Sequence, residues 1–354
     1  MKILVTGNLG YIGPELAKII KAYKINCHLA GIDTGIFAGC LTSSGLIGDT
    51  FYDVQHYVDI RDISVDHLRG IDVVISLAAV SNDPIGNEFE EATNSINYEA
   101  NLNLANLCQL NGVKKFILAS SCSMYGAGGS KPRTEFDQTM PLTAYAKSKI
   151  NCENQLRALF SGKDMELIFL RFSTACGISD RLRLDLVLND FVASAVAHQK
   201  ITILSDGSPW RPLIDVEEMC KAIVWAIDLN VRDSVKSNIL SVNIGSDEWN
   251  FSVKQLADLV CMQCPGTKLE INENAPADKR SYKVDFALYK SLAGSFYPSK
   301  KIEKTIEELV IMTSRLHLQS YPNIRSTDYI RLNKVRQLME SGKISKSFRR
   351  LIFA

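Results

Sequence analysis

Val5-Thr6-Gly7-Asn8-Leu9-Gly10-Tyr11-Ile12-Gly13 follows directly on the apolar run Ile3-Leu4-Val5 at the start of a chain of 354 residues. A short apolar strand, three glycines at this spacing and a helical pattern beginning near Gly10 describe a strand that turns tightly into a helix. Gly7, Gly10 and Gly13 supply a tight turn, a close backbone approach to a pyrophosphate and close packing of helix on strand. The helix start adds unpaired N–H groups and a positive dipole end, so Tyr11 and Ile12 are expected beside the phosphates as well. Asp33 closes the next apolar run, Leu29-Ala30-Gly31-Ile32. A carboxylate there accepts the adenosine ribose hydroxyls and repels a 2′-phosphate, which favours NAD over NADP. Asp59 and Ile60, after the third strand, are expected beside the adenine, and Leu77, Ala78 and Ala79, after the fourth, along the same cofactor.

Working outward, strand-length apolar runs at 3–5, 27–32, 55–58, 73–77, 116–120 and 167–171 alternate with helical segments beginning near Gly10, Val65, Asn94 and Tyr145. This alternation predicts an α/β fold with a doubly wound parallel sheet. After Arg171 the rhythm loosens into a polar turn at 179–181, a helix over 186–198 and a Gly/Pro-containing stretch over 206–212. A helix at 216–228, a strand at 239–243 and helices at 253–263 and 302–316 follow. The expected division is an NAD-binding domain over 1–172 with parts of 212–245, and a smaller α/β substrate-binding region over 173–211 and 246–322. The basic, partly amphipathic tail over 323–354 is expected to pack on the body or on a partner.

Bulk properties narrow the classes. Forty Lys and Arg against 39 Asp and Glu give a net charge of +1, so no overall field recruits nucleic acid or an anionic membrane. The apolar opening is cut by Thr6-Gly7 before a signal core can form, and no later run reaches membrane-spanning length, so a cytoplasmic protein is expected. Nine cysteines, an odd number, suit reduced thiols. Cys261 and Cys264 form a close pair without a second pair or a neighbouring His, so no metal site is expected.

Tyr145-Ala146-Lys147-Ser148-Lys149 places a phenol and an ammonium four residues apart, on one face of a helix. A phenol titrates near 10 and needs a nearby cation to act as a base at neutral pH. Lys149 and an oxidised nicotinamide each supply positive charge, and Lys149 can also grip the nicotinamide ribose. Ser121, in Ser120-Ser121-Cys122-Ser123-Met124-Tyr125-Gly126, follows an apolar strand and so lies at the ligand-binding edge of the sheet. Its hydroxyl is suited to polarising the substrate oxygen that Tyr145 deprotonates.

Together, Thr6-Gly7-x-x-Gly10-x-x-Gly13, Asp33, Ser121 ahead of Met124-Tyr125-Gly126, and Tyr145-x-x-x-Lys149 resemble the extended short-chain dehydrogenase/reductase family, in its nucleotide-sugar epimerase and dehydratase branch. The resemblance implies a nucleoside diphosphate sugar as substrate, held by Ser121, Ser123, Thr174, Asn189, Arg211 and Arg280. Thr174 replaces the asparagine common in the sugar epimerases. Asn189 and Arg211 match diphosphate contacts, Arg280 is a candidate for the late arginine, and Arg181 and Arg183 either reach the same phosphates or stay solvated. Dehydratases of the branch carry an Asp-Glu pair where this chain has Cys122 and Ser123, which argues against 4,6-dehydration.

The implied chemistry is hydride transfer at a sugar carbon, at C4, with Tyr145 as base. The epimerase reading is preferred, because Asp33 favours the NAD that a self-recycling reaction retains. The alternatives are a 4-ketoreductase, a silent NAD(H)-binding regulator and an oxidoreductase of a non-nucleotide alcohol. The helices over 94–109 and 145–159 carry the faces through which the family pairs, so a homodimer is expected.

Overall fold

The computed structural model describes all residues except 24–25, 44, 128, 130, 273–279 and 352–354. Seven parallel strands form the central sheet: β1 (Lys2–Thr6), β2 (His28–Ile32), β3 (Val54–His56), β4 (Val73–Ser76), β5 (Lys115–Ser121), β6 (Glu166–Phe172) and, later in the chain, Ile239–Ile244. Read across the sheet, β3-β2-β1-β4-β5-β6 is completed by the Ile239–Ile244 strand beside β6. The order reverses between β1 and β4, which opens a crevice above their carboxyl ends. The strands are apolar on both faces because helices cover both. Ile3, Val5 and Ile75 face the side of α1 (Gly13–Tyr23), whereas Leu4, Val74 and Leu118 face the opposite layer.

That opposite layer departs from the sequence pattern. The helix expected near Val65 is a single 3₁₀ turn, Val65–Leu68. The Ser64 N–H donates to His67 Nδ1 (3.1 Å), and Gly70, at φ 68°, turns the chain into β4 before a helix can grow. After the short α2 (Asp83–Glu88), the helix expected near Asn94 starts earlier, as α3 (Glu90–Asn94), widens into a π turn at Ser95–Glu99, and continues as α4 (Ala100–Leu110). The wide turn seats Asn97 against the loop after β4, where its amide meets both Val80 N (2.8 Å) and Val80 O (3.0 Å). α5 (Ala144–Phe160) starts at Thr143, whose hydroxyl accepts the Ala146 N–H (3.2 Å). α1 begins at Gly13 and not near Gly10, because the turn itself consumes the intervening residues.

A smaller lobe follows. β7 (Thr174–Cys176) leads to α6 (Val187–His198) and β8 (Lys200–Ile203), then to β9 (Trp210–Asp215), α7 (Val216–Asp228), α8 (Val231–Val235) and β10, the Ile239–Ile244 strand. β11 (Asn250–Ser252), α9 (Val253–Gln263), β12 (Lys268–Ile271), α10 (Ala287–Ala293) and α11 (Ile302–Ser314) come next. β7, β9 and β11 make one small sheet and β8 with β12 another, around a core that includes Leu188, Phe191, Leu213, Leu256 and Ile306. α7 returns to cover the central sheet beside α1.

The tail packs on the body of its own chain. α12 (Arg331–Glu340) presents Val335 which, with Ile344 and Phe348, buries against Ile36, Val80, Ile85 and Ala92. Among the described residues no helix is long and apolar enough to cross a membrane.

Candidate active site

A cleft of about 930 Å³ opens over the β1/β4 reversal and runs into the smaller lobe. Gly7, Gly10, Tyr11 and Ile12 form its floor, Asp33, Asp59 and Ile60 line one end, and Leu77, Ala78 and Ala79 flank the turn. Gly7 sits at φ +73°, and a Cβ built on it would lie 2.6 Å from the Ala78 Cα, so only glycine lets the two loops touch. Gly13 stays behind the turn: its Cβ would meet the Asn8 carbonyl oxygen at 2.0 Å, which makes its task helix packing and not contact with the cleft. Asp33 accepts the N–H groups of Leu9 (3.1 Å) and Gly35 (2.7 Å). Burial pushes its carboxyl upward and these two donors pull it back. Asp59 is clamped by Arg61 (2.6 Å), which leaves it a less available ligand than Asp33. A glycine turn stripped of side chains, a helix N-terminus and an acid beyond the second strand fit a dinucleotide.

The acid/base residues meet at the middle of the cleft. β5 pairs with β6 so that Ser121 lies opposite Phe172, at the carboxyl edge, and Ser121, Tyr145 and Lys149 all line the cavity. Ser121 donates to Ser123 Oγ (2.9 Å) and accepts the Ser123 N–H (3.1 Å). Burial pushes the Tyr145 phenol up to about 12, with a hydrogen bond to the Ser121 side chain and the charge of Arg183 opposing the rise. Lys149 is only 2% exposed and donates to the Ala119 carbonyl (2.7 Å). Its ammonium is pushed down to about 8 by the same desolvation. The ammonium stands 5.8 Å from the Tyr145 ring centre.

Beneath them lies a buried network that spacing arguments missed. Glu153, on α5 one turn beyond Lys149, pairs with Arg171 (2.8 Å) and accepts the Ser120 hydroxyl. Arg171 also donates to the Tyr125 hydroxyl (3.1 Å), which in turn donates to Asn243 (2.7 Å). This ties both ends of the Ser120–Tyr125 loop to β6 and β10, and so fixes Ser121. Cys122 is fully buried with its thiol on the Arg171 carbonyl (3.0 Å), and burial pushes that thiol upward. It offers no proton donor to the cleft.

On the substrate side, Ser123, Thr174, Arg211 and Arg280 line the cavity. Arg211 donates to the Trp210 carbonyl (2.8 Å) and lies over the Tyr282 ring at 5.9 Å. Arg280 pairs with Asp83 (2.7 Å), the acid that also accepts the Thr143 hydroxyl at the start of α5. Asn189 departs from the expectation. It is completely buried and outside the cavity lining, with its amide accepting Gly177 N–H (3.0 Å) and donating to the Arg183 carbonyl (3.0 Å). It shapes the loop after β7, and the neighbouring arginines divide accordingly. Arg181 turns away to Asp49 (2.6 Å), whereas Arg183 faces the cavity, held by Asp185 (2.8 Å) and Ser81 (3.0 Å). Arg331 also enters the lining, from the tail. Nothing in its local sequence marks it. Among the described residues no group of three or more His, Cys, Asp or Glu is placed to hold a metal ion.

A doubly wound sheet with a glycine turn, an acid beyond its second strand and a Ser-Tyr-Lys set in one cleft defines a dinucleotide-dependent enzyme of the extended short-chain dehydrogenase/reductase class. The model of the NAD dependent epimerase/dehydratase family matches residues 3–245, and the chain belongs to that family. It is 30% identical over 233 residues to Protein CapI of Staphylococcus aureus, covering 63% of this chain and 68% of that one. It is 24% identical to a putative UDP-glucose 4-epimerase of Methanocaldococcus jannaschii, over 87% of this chain and 97% of that one. Among solved structures, UDP-glucuronic acid 4-epimerase from Bacillus cereus, in complex with UDP-glucuronic acid and NAD, superposes with a TM-score of 0.76 at 22% identity. That match covers 89% of this chain and 100% of the other.

Proposed function

We propose that this chain is an NAD-dependent epimerase acting at C4 of a nucleoside diphosphate sugar, with UDP as the nucleotide. The observation that carries this reading is the convergence of Ser121, Tyr145 and Lys149 on one cleft, with Cys122 and Ser123 standing where a 4,6-dehydratase would carry carboxylates. The similar proteins of Methanocaldococcus jannaschii and Bacillus cereus, both described as UDP-sugar 4-epimerases, support it.

Gly7 to Ile12 and Asp33 would hold the cofactor, and Lys149 its nicotinamide ribose. When bound, NAD supplies the acceptor and donor for hydride at the reacting carbon. Tyr145 takes the proton of the C4 hydroxyl, Ser121 donates a hydrogen bond to the same oxygen, and Tyr145 returns the proton once the 4-keto sugar has presented its other face. The phenol of the free protein, pushed up to about 12, is a poor base at neutral pH. Lys149 sets one positive charge beside it, and an oxidised nicotinamide would supply a second when bound, so base strength and cofactor state would be coupled. Arg211, with Arg280, would clamp the diphosphate of the sugar nucleotide. Two copies are expected to pair through α4 and α5, which carry the exposed Leu110 and Leu159, as a cytoplasmic homodimer.

Purified protein incubated with UDP-sugars should interconvert C4 epimers with no net consumption of NADH, followed by absorbance and product NMR. Stoichiometric NADH loss would instead identify a ketoreductase. Tyr145→Phe should keep NAD binding and lower kcat by about 10³-fold, the ordinary weight of a positioned acid/base group.

A further inference from the structure

Arg331 is the first residue of α12 and is 3% exposed. Its guanidinium lies 4.8 Å from the centre of the Phe37 ring, and one terminal nitrogen, Nη2, donates to the Arg181 carbonyl (3.0 Å). The other, Nη1, is buried and has no hydrogen-bond partner among the described residues, although the side chain lines the cleft. A buried guanidinium with an unused donor is costly unless an anion meets it.

The charges around it leave that place open. Arg181 is answered by Asp49, and Asp185 already accepts the Arg183 guanidinium and the Asn82 amide. Arg183 and Arg331 thus share a single buried carboxylate, which leaves one positive charge over. Desolvation and the facing arginines push the Arg331 guanidinium down to about 10, which still leaves it charged at neutral pH.

Position identifies the anion that would meet Nη1. On one side of Arg331 lies Phe37, in the loop that begins with Asp33, the ribose acid. Arg183 and Asp185 are close enough to act on its charge, Arg183 in turn acts on Tyr145, and all of them line the same cleft. Between an adenosine ribose and a nicotinamide, a dinucleotide carries its diphosphate. We propose that Arg331 binds the diphosphate of the bound NAD from above, opposite the Gly7–Gly10 turn, and that the C-terminal segment is the fixed roof of the cofactor site. Val335, Ile344 and Phe348 seat that roof on Ile36, Val80 and Ile85. Its far end is fastened by Arg349 to Asp62 and by Arg350 to the carbonyls of Thr34 (2.7 Å) and Gly35 (2.6 Å).

The proposal rests on NAD occupying the cleft and is independent of which sugar is the substrate. Calorimetric titration of the full-length protein with NAD, ADP-ribose, adenosine and UDP tests it. Arg331→Met should weaken NAD and ADP-ribose by roughly 10- to 100-fold, the value of a charge-assisted hydrogen bond, and leave adenosine and UDP essentially unchanged. Its ligand-free melting temperature should hold, because the lost stacking is offset by removal of an unanswered charge. Arg331→Lys should fall between the two, and it decides the matter with the same titrants if the Met variant does not fold. Unchanged NAD affinity in a folded variant overturns the assignment. A loss confined to UDP overturns it too, by moving the arginine to the sugar nucleotide's diphosphate. Failure of the unsubstituted protein to bind NAD or ADP-ribose would instead strike the cofactor reading itself.

Discussion

The floor and the roof of the cofactor cleft are built in opposite ways. The floor is local and made of backbone: residues 7–13 turn from β1 into α1, and the side chains that would obstruct a phosphate are absent. The roof is remote and made of side chains: Arg331, Val335, Phe348 and Arg350 arrive from some 300 positions later and are set by packing on Ile36 and Val80. A floor of this kind tolerates almost no substitution, because its clashes are with backbone. A roof can change piece by piece, and its losses should appear as faster cofactor release before they appear as loss of fold.

Substitutions at the floor and at the roof probe that contrast, and one at Lys149 tests the buried ammonium of the cleft. The largest effect is expected at the floor. Gly7→Ala must hold a positive φ and place a Cβ 2.6 Å from the Ala78 backbone, so stability should fall by about 2–4 kcal/mol in denaturant unfolding. NAD affinity should fall with it, and a variant that unfolds like the unsubstituted protein would remove the close approach from the account.

The next concerns Lys149, whose ammonium is pushed down to about 8 in the fold, whereas an unfolded lysine titrates at about 10.4. Below pH 8 the group is charged in both states and burial penalises the fold. Between the two values the unfolded chain holds a proton that the folded one has released, so this penalty fades as pH rises. Lys149→Met should therefore stabilise the ligand-free protein at pH 7, with the gain shrinking by pH 10. Melting curves showing a pH-independent difference, or a loss at pH 7, would contradict the burial cost.

The smallest effect belongs to the roof. Phe348→Ala removes an edge-on contact with Phe89 at 5.3 Å and should speed NAD dissociation by about tenfold, equivalent to about 1.4 kcal/mol, with the KM for the sugar nucleotide unchanged. Stopped-flow displacement of NAD reads it directly. Equal effects on NAD and sugar nucleotide would mean that the roof covers the whole cleft and not only the cofactor end.

The strands were readable because a parallel sheet covered on both faces demands unbroken apolar runs, and the runs at 73–77 and 116–120 became β4 and β5 with little change. The helices on the second face were less legible. Ser64 and Gly70 enclose too short a span for the helix expected near Val65, and Asn97 pulls a π turn into a stretch whose apolar period looks continuous. In the cleft, Gly7, Asp33, Ser121, Tyr145 and Lys149 could be named because each role requires one residue type at a fixed offset from a strand end. The arginines could not be sorted this way. Arg181 and Arg183 sit two apart in one loop, yet one is held outward by Asp49 and the other inward by Asp185. Asn189 read as a ligand contact and is in fact enclosed by the loop that it organises.

By itself, the sequence determined the parallel sheet, the glycine turn and the placing of Ser121, Tyr145 and Lys149 at the edge of the sheet, since these depend on short-range geometry that a few consecutive residues impose on their own backbone. Only the tertiary structure decided which cations face the cleft, that a buried Glu153–Arg171 pair steadies Ser121, and that the basic tail packs beside the cleft and lends Arg331 to its lining. Those outcomes turn on which carboxylates and apolar surfaces lie across the fold from each side chain. Local spacing carries no record of neighbours a hundred or more residues away.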